Sequence, residues 1–314
     1  MTKLEMIKRF PVSEYPNITV LAITNECSHC CSHCQYSTYS TKSSYKKQYM
    51  EFRIYKKIVD ELSGEKNAIL RLCAWGEPLF HPEIVQFLSY ATEKNVKTLL
   101  LTNGYLLTPE LAISLMEAGL KFVEVSIDAA RISTYKKVRR CKDASAFDKV
   151  NNNVLRMVEM RNFYDFQTKI VVSYVTWPTD DSEQEFKEFH NKWVNVTDDV
   201  VKRRLHSFHC AIDPELVVVP EDRLPCYGLW GRAIVNPYGD CVLCYNQWEK
   251  DQLVLGDLND KDTTIKGIWN GEEINRLRKN QINNIYEGPC ANCKDYNPYA
   301  WDHPFEEVLE RISK

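Results

Sequence analysis

With 314 residues, a net charge of -3 and 44% hydrophobic against 26% charged residues, the chain has the make-up of a soluble globular protein. That charge excludes a nucleic-acid binder relying on a broadly basic surface, and no apolar run is long enough to cross a bilayer. Lys3, Glu5, Lys8 and Arg9 interrupt the N-terminus, so it has no signal-peptide core and a cytoplasmic location is expected. The length suits one large α/β domain with a small appendix, or two domains.

Residues 17–24 (NITVLAIT) form a β-branched apolar run that predicts a buried strand. A helix is expected near 50–62, a strand at 68–74, and a helix at 82–94 with Pro82 in its first turn. Strands at 97–102 and 121–127 bracket a helix at 109–118. Apolar spacing at Val150, Val154 and Val158 predicts a helix over 147–160. A strand at 169–176, a helix at 183–194 and a strand at 200–205 follow. Six strands alternating with helices imply a parallel sheet with right-handed crossovers, as an open doubly wound sheet or a partial barrel. Beyond this the rhythm changes. Strands at 232–235 and 241–245 flank Asn236-Pro237-Tyr238-Gly239-Asp240, a good hairpin turn. Helices over 264–280 and 304–312 complete a smaller unit. The expected domains are an extension over 1–16, a core over 17–205, a linker over 206–225 and a C-terminal unit over 226–314.

Twelve cysteines stand out, and their placement matters more than their number. Four crowd into the run from Cys27 to Cys34, and five more are Cys226, Cys241, Cys244, Cys290 and Cys293; Cys73, Cys141 and Cys210 stand apart. In a chain lacking a secretion signal, this grouping points to metal ligation rather than disulfides. Cys27-x3-Cys31-x2-Cys34 offers three thiolates, which on a four-iron cube leave one iron open. Cys30 permits the reversed spacing, and His29 and His33 would allow a zinc site instead.

Functional groups of parallel α/β folds gather at the carboxyl ends of strands. The cysteine loop follows the first predicted strand, Trp75-Gly76-Glu77-Pro78 the second, and Asn103-Gly104 the third. Ser126 and Asp128 close the fourth, Trp177, Asp180 and Asp181 follow the fifth, and His206 and His209 follow the sixth.

With these residues in this order, residues 17–205 resemble the radical SAM superfamily. The resemblance implies a partial (β/α)6 TIM barrel with a small C-terminal α+β iron–sulfur domain. It also implies a 4Fe–4S cluster on Cys27, Cys31 and Cys34, whose open iron binds S-adenosylmethionine (SAM). Reductive cleavage of SAM releases a 5'-deoxyadenosyl radical that abstracts hydrogen from the substrate, with reduced flavodoxin or ferredoxin as electron donor. By the same resemblance Gly76 and Glu77, with Pro78 in the same motif, meet the methionine amino group. Ser126 and Arg139 are candidates for its carboxylate. Asn103 and Asp128 support the ribose or the strand ends, and His33 stands where the family places an aromatic beside the adenine.

Cys226-x12-Gly239-x4-Cys244, then Cys290-x2-Cys293, resembles the SPASM or shorter twitch extension of these enzymes. This implies one auxiliary 4Fe–4S cluster held by Cys226, Cys244, Cys290 and Cys293, suited to electron transfer. The competing zinc-ribbon reading pairs Cys241-x2-Cys244 with Cys290-x2-Cys293 and leaves Cys226 spare. Two reactions remain open: oxidation, with the auxiliary cluster taking an electron, and epimerisation, with a spare thiol such as Cys241 or Cys210 returning hydrogen. Only about sixteen residues precede the first strand, which favours a sugar-like or aminoglycoside-like small molecule over a ribosomally made peptide. A basic segment of Lys202, Arg203, Arg204, His206 and His209 is a candidate anion site. A zinc-dependent scaffold without catalysis is the alternative of another class.

Overall fold

The structure, a computed structural model, describes residues 11–65, 68–177, 179, 181–205, 223–246, 248 and 252–294. Six β-strands alternate with helices: β1 (Ile18–Leu21), β2 (Ile69–Leu72), β3 (Lys97–Thr102), β4 (Phe122–Ser126), β5 (Lys169–Thr176) and β6 (Asp199–Arg204). They pair in parallel with register such as Val20 opposite Arg71 and Glu124 opposite Val171. The intervening helices are α1 (Tyr36–Tyr39), α2 (Phe52–Leu62), α3 (Ile84–Glu93), α4 (Pro109–Glu117), α5 (Ile132–Arg139), α6 (Ala146–Phe163) and α7 (Ser182–Trp193).

Local chemistry accounts for these elements. On α2, Ile54, Tyr55, Ile58, Val59 and Leu62 are buried, a stripe of helical period facing the sheet. Thr108 caps α4 by accepting from Leu111 N at 3.3 Å, with Pro109 in the first turn. All four β1 residues are buried because helices cover one face and the barrel interior lies behind the other. The main apolar core therefore lies between helices and sheet, while Ile18, Ile69, Leu99, Phe122 and Val171 form a second cluster inside the curve.

The C-terminal part continues this sheet. After α8 (Gly228–Gly231), strand β7 (Arg232–Val235) pairs in parallel with β1, and β8 (Asp240–Val242) and β9 (Val254–Asp257) add antiparallel strands. The order is β6-β5-β4-β3-β2-β1-β7-β8-β9, an open, partial barrel. The expected hairpin is present, but it extends the barrel sheet instead of forming a sheet of its own. The expected helix over 264–280 is two helices, α9 (Ile265–Trp269) and α10 (Glu272–Ile282), because Gly271 takes extended backbone between them. Helix α5 and strand β9 had no predicted counterpart. The expected helix over 304–312 and most of the linker lie outside the described residues.

Candidate active site

Cys27, Cys31 and Cys34 line one cavity of about 350 Å³ at the carboxyl ends of the strands, and Cys30 is not among its lining residues. Cys30, like Cys27 and Cys34, packs against the cluster of Ala22, Tyr36, Trp75 and Trp248. The cavity lining thus brings together Cys27, Cys31 and Cys34 and not Cys30. Burial pushes the Cys31 thiol up to about 12, although the nearby Arg139 charge opposes this. Burial, with Cys31 and Glu77 adding negative charge, also raises Cys27. Crowded thiols that resist ionisation together suit a site in which a cationic cluster supplies the missing positive charge.

Gly76 sits where no side chain fits. A Cβ there would lie 2.6 Å from the backbone oxygens of Thr24 and Glu26. Glu77, at 2% exposure, is no solvated loop acid. Its carboxylate accepts from Leu79 N (3.1 Å), Thr102 Oγ1 (2.6 Å) and Asn103 N (2.6 Å), which fastens the ends of β2 and β3 together. Asn103 Nδ2 stands 3.7 Å from Cys27 Sγ, linking the third strand end to the cysteine loop. Pro78 opens a short 3-10 turn and is buried outside the cavity lining.

Ser126, Arg139 and His33 line the cavity as well. Asp128 lies behind them, fully buried, in a left-handed conformation with φ 61°. It accepts from Arg139 Nη1 at 2.7 Å, Ser126 Oγ at 3.0 Å and Val175 N at 3.1 Å. Asp128 therefore positions Arg139 and Ser126 and holds the strand ends. Burial disfavours the Arg139 charge, but Cys31 and Asp128 outweigh it and keep the guanidinium protonated. Arg139 Nε is buried without a hydrogen-bond partner, a donor left available for an anionic ligand group. The His33 ring meets Trp177 edge-on at 5.8 Å and lies 3.6 Å from Asp128. His29 does not face the cysteines as a ligand: its Nε2 bonds Tyr135 Oη and its Nδ1 bonds Ser28 Oγ, each at 2.8 Å. Burial lowers its pKa to about 3, so it is a neutral buried imidazole.

The second cysteine group assembles around α8, α10 and the turn after β8. Burial raises the Cys244 thiol strongly, and Cys226, Cys293 and Cys290 lie close enough to add to that rise. Gln281 bridges the group, accepting from Cys226 N at 2.8 Å and donating to Cys290 Sγ at 3.5 Å. Cys241 is elsewhere. It is 2% exposed, pairs with Val235 and Gly256 across the sheet, and lines no part of the cavity. The structure thus does not bring the expected hydrogen donor to the cavity, because alternation along β8 turns Cys241 to the helix-covered face. Among the described residues no three His, Cys, Asp or Glu side chains form a group that could hold a single metal ion.

A family profile for the radical SAM superfamily matches residues 21–190, and one for the SPASM iron–sulfur cluster-binding domain matches residues 226–294. The chain belongs to the radical SAM superfamily. Its domains carry a 4Fe–4S cluster that binds SAM and an auxiliary cluster, and this sets aside the zinc-ribbon and scaffold readings. Among curated proteins it is 34% identical over 118 residues to an AdoMet-dependent heme synthase of Methanosarcina barkeri, covering 38% of this chain and 32% of that protein. The match therefore spans only about a third of the relative's length. Two solved structures share the fold. BtrN in complex with AdoMet and 2-DOIA aligns with TM-score 0.56 at 17% identity over 88% of this chain and 92% of that one. Streptococcus suis SuiB bound to precursor peptide SuiA aligns with TM-score 0.65 at 12% identity over 88% and 70%. No helix among the described residues is long and apolar enough to cross a membrane.

Several cavity residues have no counterpart among those singled out in the sequence. Arg71, Glu124 and Arg232 face inward from β2, β4 and β7, and Tyr245 and Trp248 reach in from the turn after β8; Cys73, noted above only as standing apart, joins them just past the end of β2. Charged residues inside the apolar runs ILRL and FVEVS are the signal that marks Arg71 and Glu124. Of the basic segment near β6, Arg203 faces the cavity, while Lys202 pairs with Glu183 on the outer side. His206, His209 and Cys210 lie outside the described residues, as does Asp180; Asp181 pairs with Arg131.

Proposed function

We propose that this protein is a radical SAM oxidoreductase that dehydrogenates a small, sugar-like molecule inside the barrel. Cys27, Cys31 and Cys34 hold the SAM-binding cluster, and Cys226, Cys244, Cys290 and Cys293 hold the auxiliary one. When bound, the first cluster with SAM supplies a 5'-deoxyadenosyl radical for hydrogen abstraction, and the second, closed by four thiolates, supplies an electron acceptor. Gly76 leaves backbone open to the methionine amino group. Ser126 and Arg139 take the carboxylate, with Asp128 holding both in place, and His33 packs beside the adenine.

One observation carries the oxidative reading: the cavity wall and the auxiliary cysteines are the same turn of chain. Tyr245, adjacent to Cys244, lines the cavity, and its carbonyl accepts from Trp75 Nε1 at 3.1 Å. Asn246 O accepts from Gln35 Nε2 at 2.5 Å, one residue past Cys34. Trp248 stacks on Trp75 with ring centroids 5.6 Å apart. A substrate against Tyr245 is thereby held between the two cysteine groups. Modification of a peptide, as the likeness to SuiB suggests, is the second reading.

Anaerobically reconstituted protein is expected to be brown, to contain roughly eight irons, and to form 5'-deoxyadenosine from SAM with dithionite. Cys31→Ala should abolish that product. A colourless zinc protein, or one that leaves SAM intact, refutes the proposal. With candidate substrates in heavy water, loss of two hydrogens supports oxidation. Deuterium gained at carbon instead marks epimerisation, with Cys73 as the thiol that lines the cavity.

A further inference from the structure

The barrel interior carries unbalanced positive charge. Arg71 from β2, Arg203 from β6 and Arg232 from β7 line both the upper cavity and a second space of about 370 Å³ beneath it, so they sit at the boundary between the two. Glu124 from β4 is the one carboxylate at the same level. Both its oxygens accept from Arg203, whose Nε donates to Oε1 at 2.7 Å and whose Nη2 donates to Oε2, and the Arg71 charge also lies near enough to favour its ionised form. Neither Arg71 nor Arg232 forms an ion pair with a described residue, and the Nε of each is buried without a partner. Of the other charges of the upper cavity, Glu77 is committed to three donors, and Arg139, held by Asp128 through Nη1, is the group assigned above to the SAM carboxylate. Farther down, Lys169, Asp198 and Asp199 line the second space, with Asp198 paired to Arg161.

Two half-buried guanidinium groups with no hydrogen-bonded carboxylate of their own favour an anionic group that joins them. A planar fork of N–H donors matches a carboxylate or phosphate face. Tyr245 gives the place, since it lines the upper cavity together with Arg71 and Arg232.

We infer that Arg71 and Arg232 bind an oxyanion group of the substrate, a carboxylate or a phosphate, and seat it against Tyr245. This rests on the radical SAM reading above and narrows its substrate class, moving it away from polycationic aminoglycosides toward anionic small molecules. Arg203 is held by Glu124 as the third wall of the site.

Calorimetric titration of the reconstituted, SAM-loaded holoenzyme with citrate and with inorganic pyrophosphate tests this, with glycerol as the neutral probe. Citrate or pyrophosphate should bind, and whichever binds more tightly tells carboxylate from phosphate. Arg71→Met and Arg232→Met should each weaken binding by roughly tenfold or more, the effect of losing a hydrogen bond to a charged group. Arg156→Met, on the exposed face of α6, should leave it unchanged. Glu124→Gln should tighten binding several-fold by releasing Arg203, a direction that misfolding cannot imitate. The inference is overturned if neither anion binds, if glycerol binds equally, or if Glu124→Gln fails to tighten and the arginine variants match the wild type. Formation of 5'-deoxyadenosine by the wild type, run alongside, separates this outcome from failure of the radical SAM reading itself.

Discussion

Replacing Gly76 with alanine puts a methyl group 2.6 Å from two backbone oxygens, Thr24 O and Glu26 O, and 2.9 Å from the Asn25 carbonyl carbon. Ordinary contact begins near 3.4 Å, so the two chain segments must part by roughly 0.8 Å, and no flexible side-chain tip is there to yield. The strain falls on Glu77 N donating to Glu26 O at 2.8 Å and, through the Glu77 carboxylate, on Asn103 beside Cys27. Overpacking of this kind costs about 1–3 kcal/mol. A displacement near 1 Å at a positioning element costs on the order of 100-fold in rate. Gly76→Ala should therefore lose about 1–3 kcal/mol in anaerobic urea unfolding and form 5'-deoxyadenosine at least tenfold more slowly. Gly64→Ala is the control, since a Cβ there meets only Glu61 O at 3.6 Å. A Gly76→Ala protein with wild-type stability and wild-type SAM cleavage would refute the packing argument and the role given to this loop.

Cys241→Ser should retain full iron content, and product analysis with a turned-over substrate should give the wild-type product; a changed product would return Cys241 to the mechanism. Gln281→Leu removes the side chain that ties Cys226 N to Cys290 Sγ. Iron should fall from roughly eight toward roughly four per chain while the SAM-binding cluster's electron paramagnetic resonance signal persists; undiminished iron would contradict the bridging role. Arg278 is 4% exposed, donates to Leu229 O, Trp269 O and Asn275 Oδ1 at 2.8 Å each, and lies 4.2 Å over the Trp269 ring. Arg278→Met strands two buried carbonyls and should cost about 2–4 kcal/mol in urea unfolding; a loss near zero would show that water replaces the guanidinium.

Elements with a strong local period were legible. The strands at 97–102 and 169–176 coincide with β3 and β5, and the helix at 109–118 overruns α4 by one residue. Helix α5 was not, because ISTYKKVR mixes β-branched and basic residues without an apolar stripe, and only packing of Tyr135, Val138 and Arg139 makes it helical. The split of α9 from α10 turns on one glycine whose backbone conformation no period reports. At the site, the cysteine loop, Gly76–Glu77 and Asn103 could be placed because each follows a strand end. The inward-facing arginines could not, since a residue's face depends on register with strands far away in the chain.

What the sequence by itself determined is the chemistry that local spacing encodes: four cysteines crowded on one loop, five more farther on, and a run of βα units that puts polar residues at one mouth. Only the tertiary structure decided that β7 docks beside β1, some two hundred residues away. That pairing places Arg232 inside, turns Cys241 outward and sets Tyr245 between the two cysteine groups. Its physical reason is that strand pairing satisfies backbone donors with whichever exposed edge the fold presents.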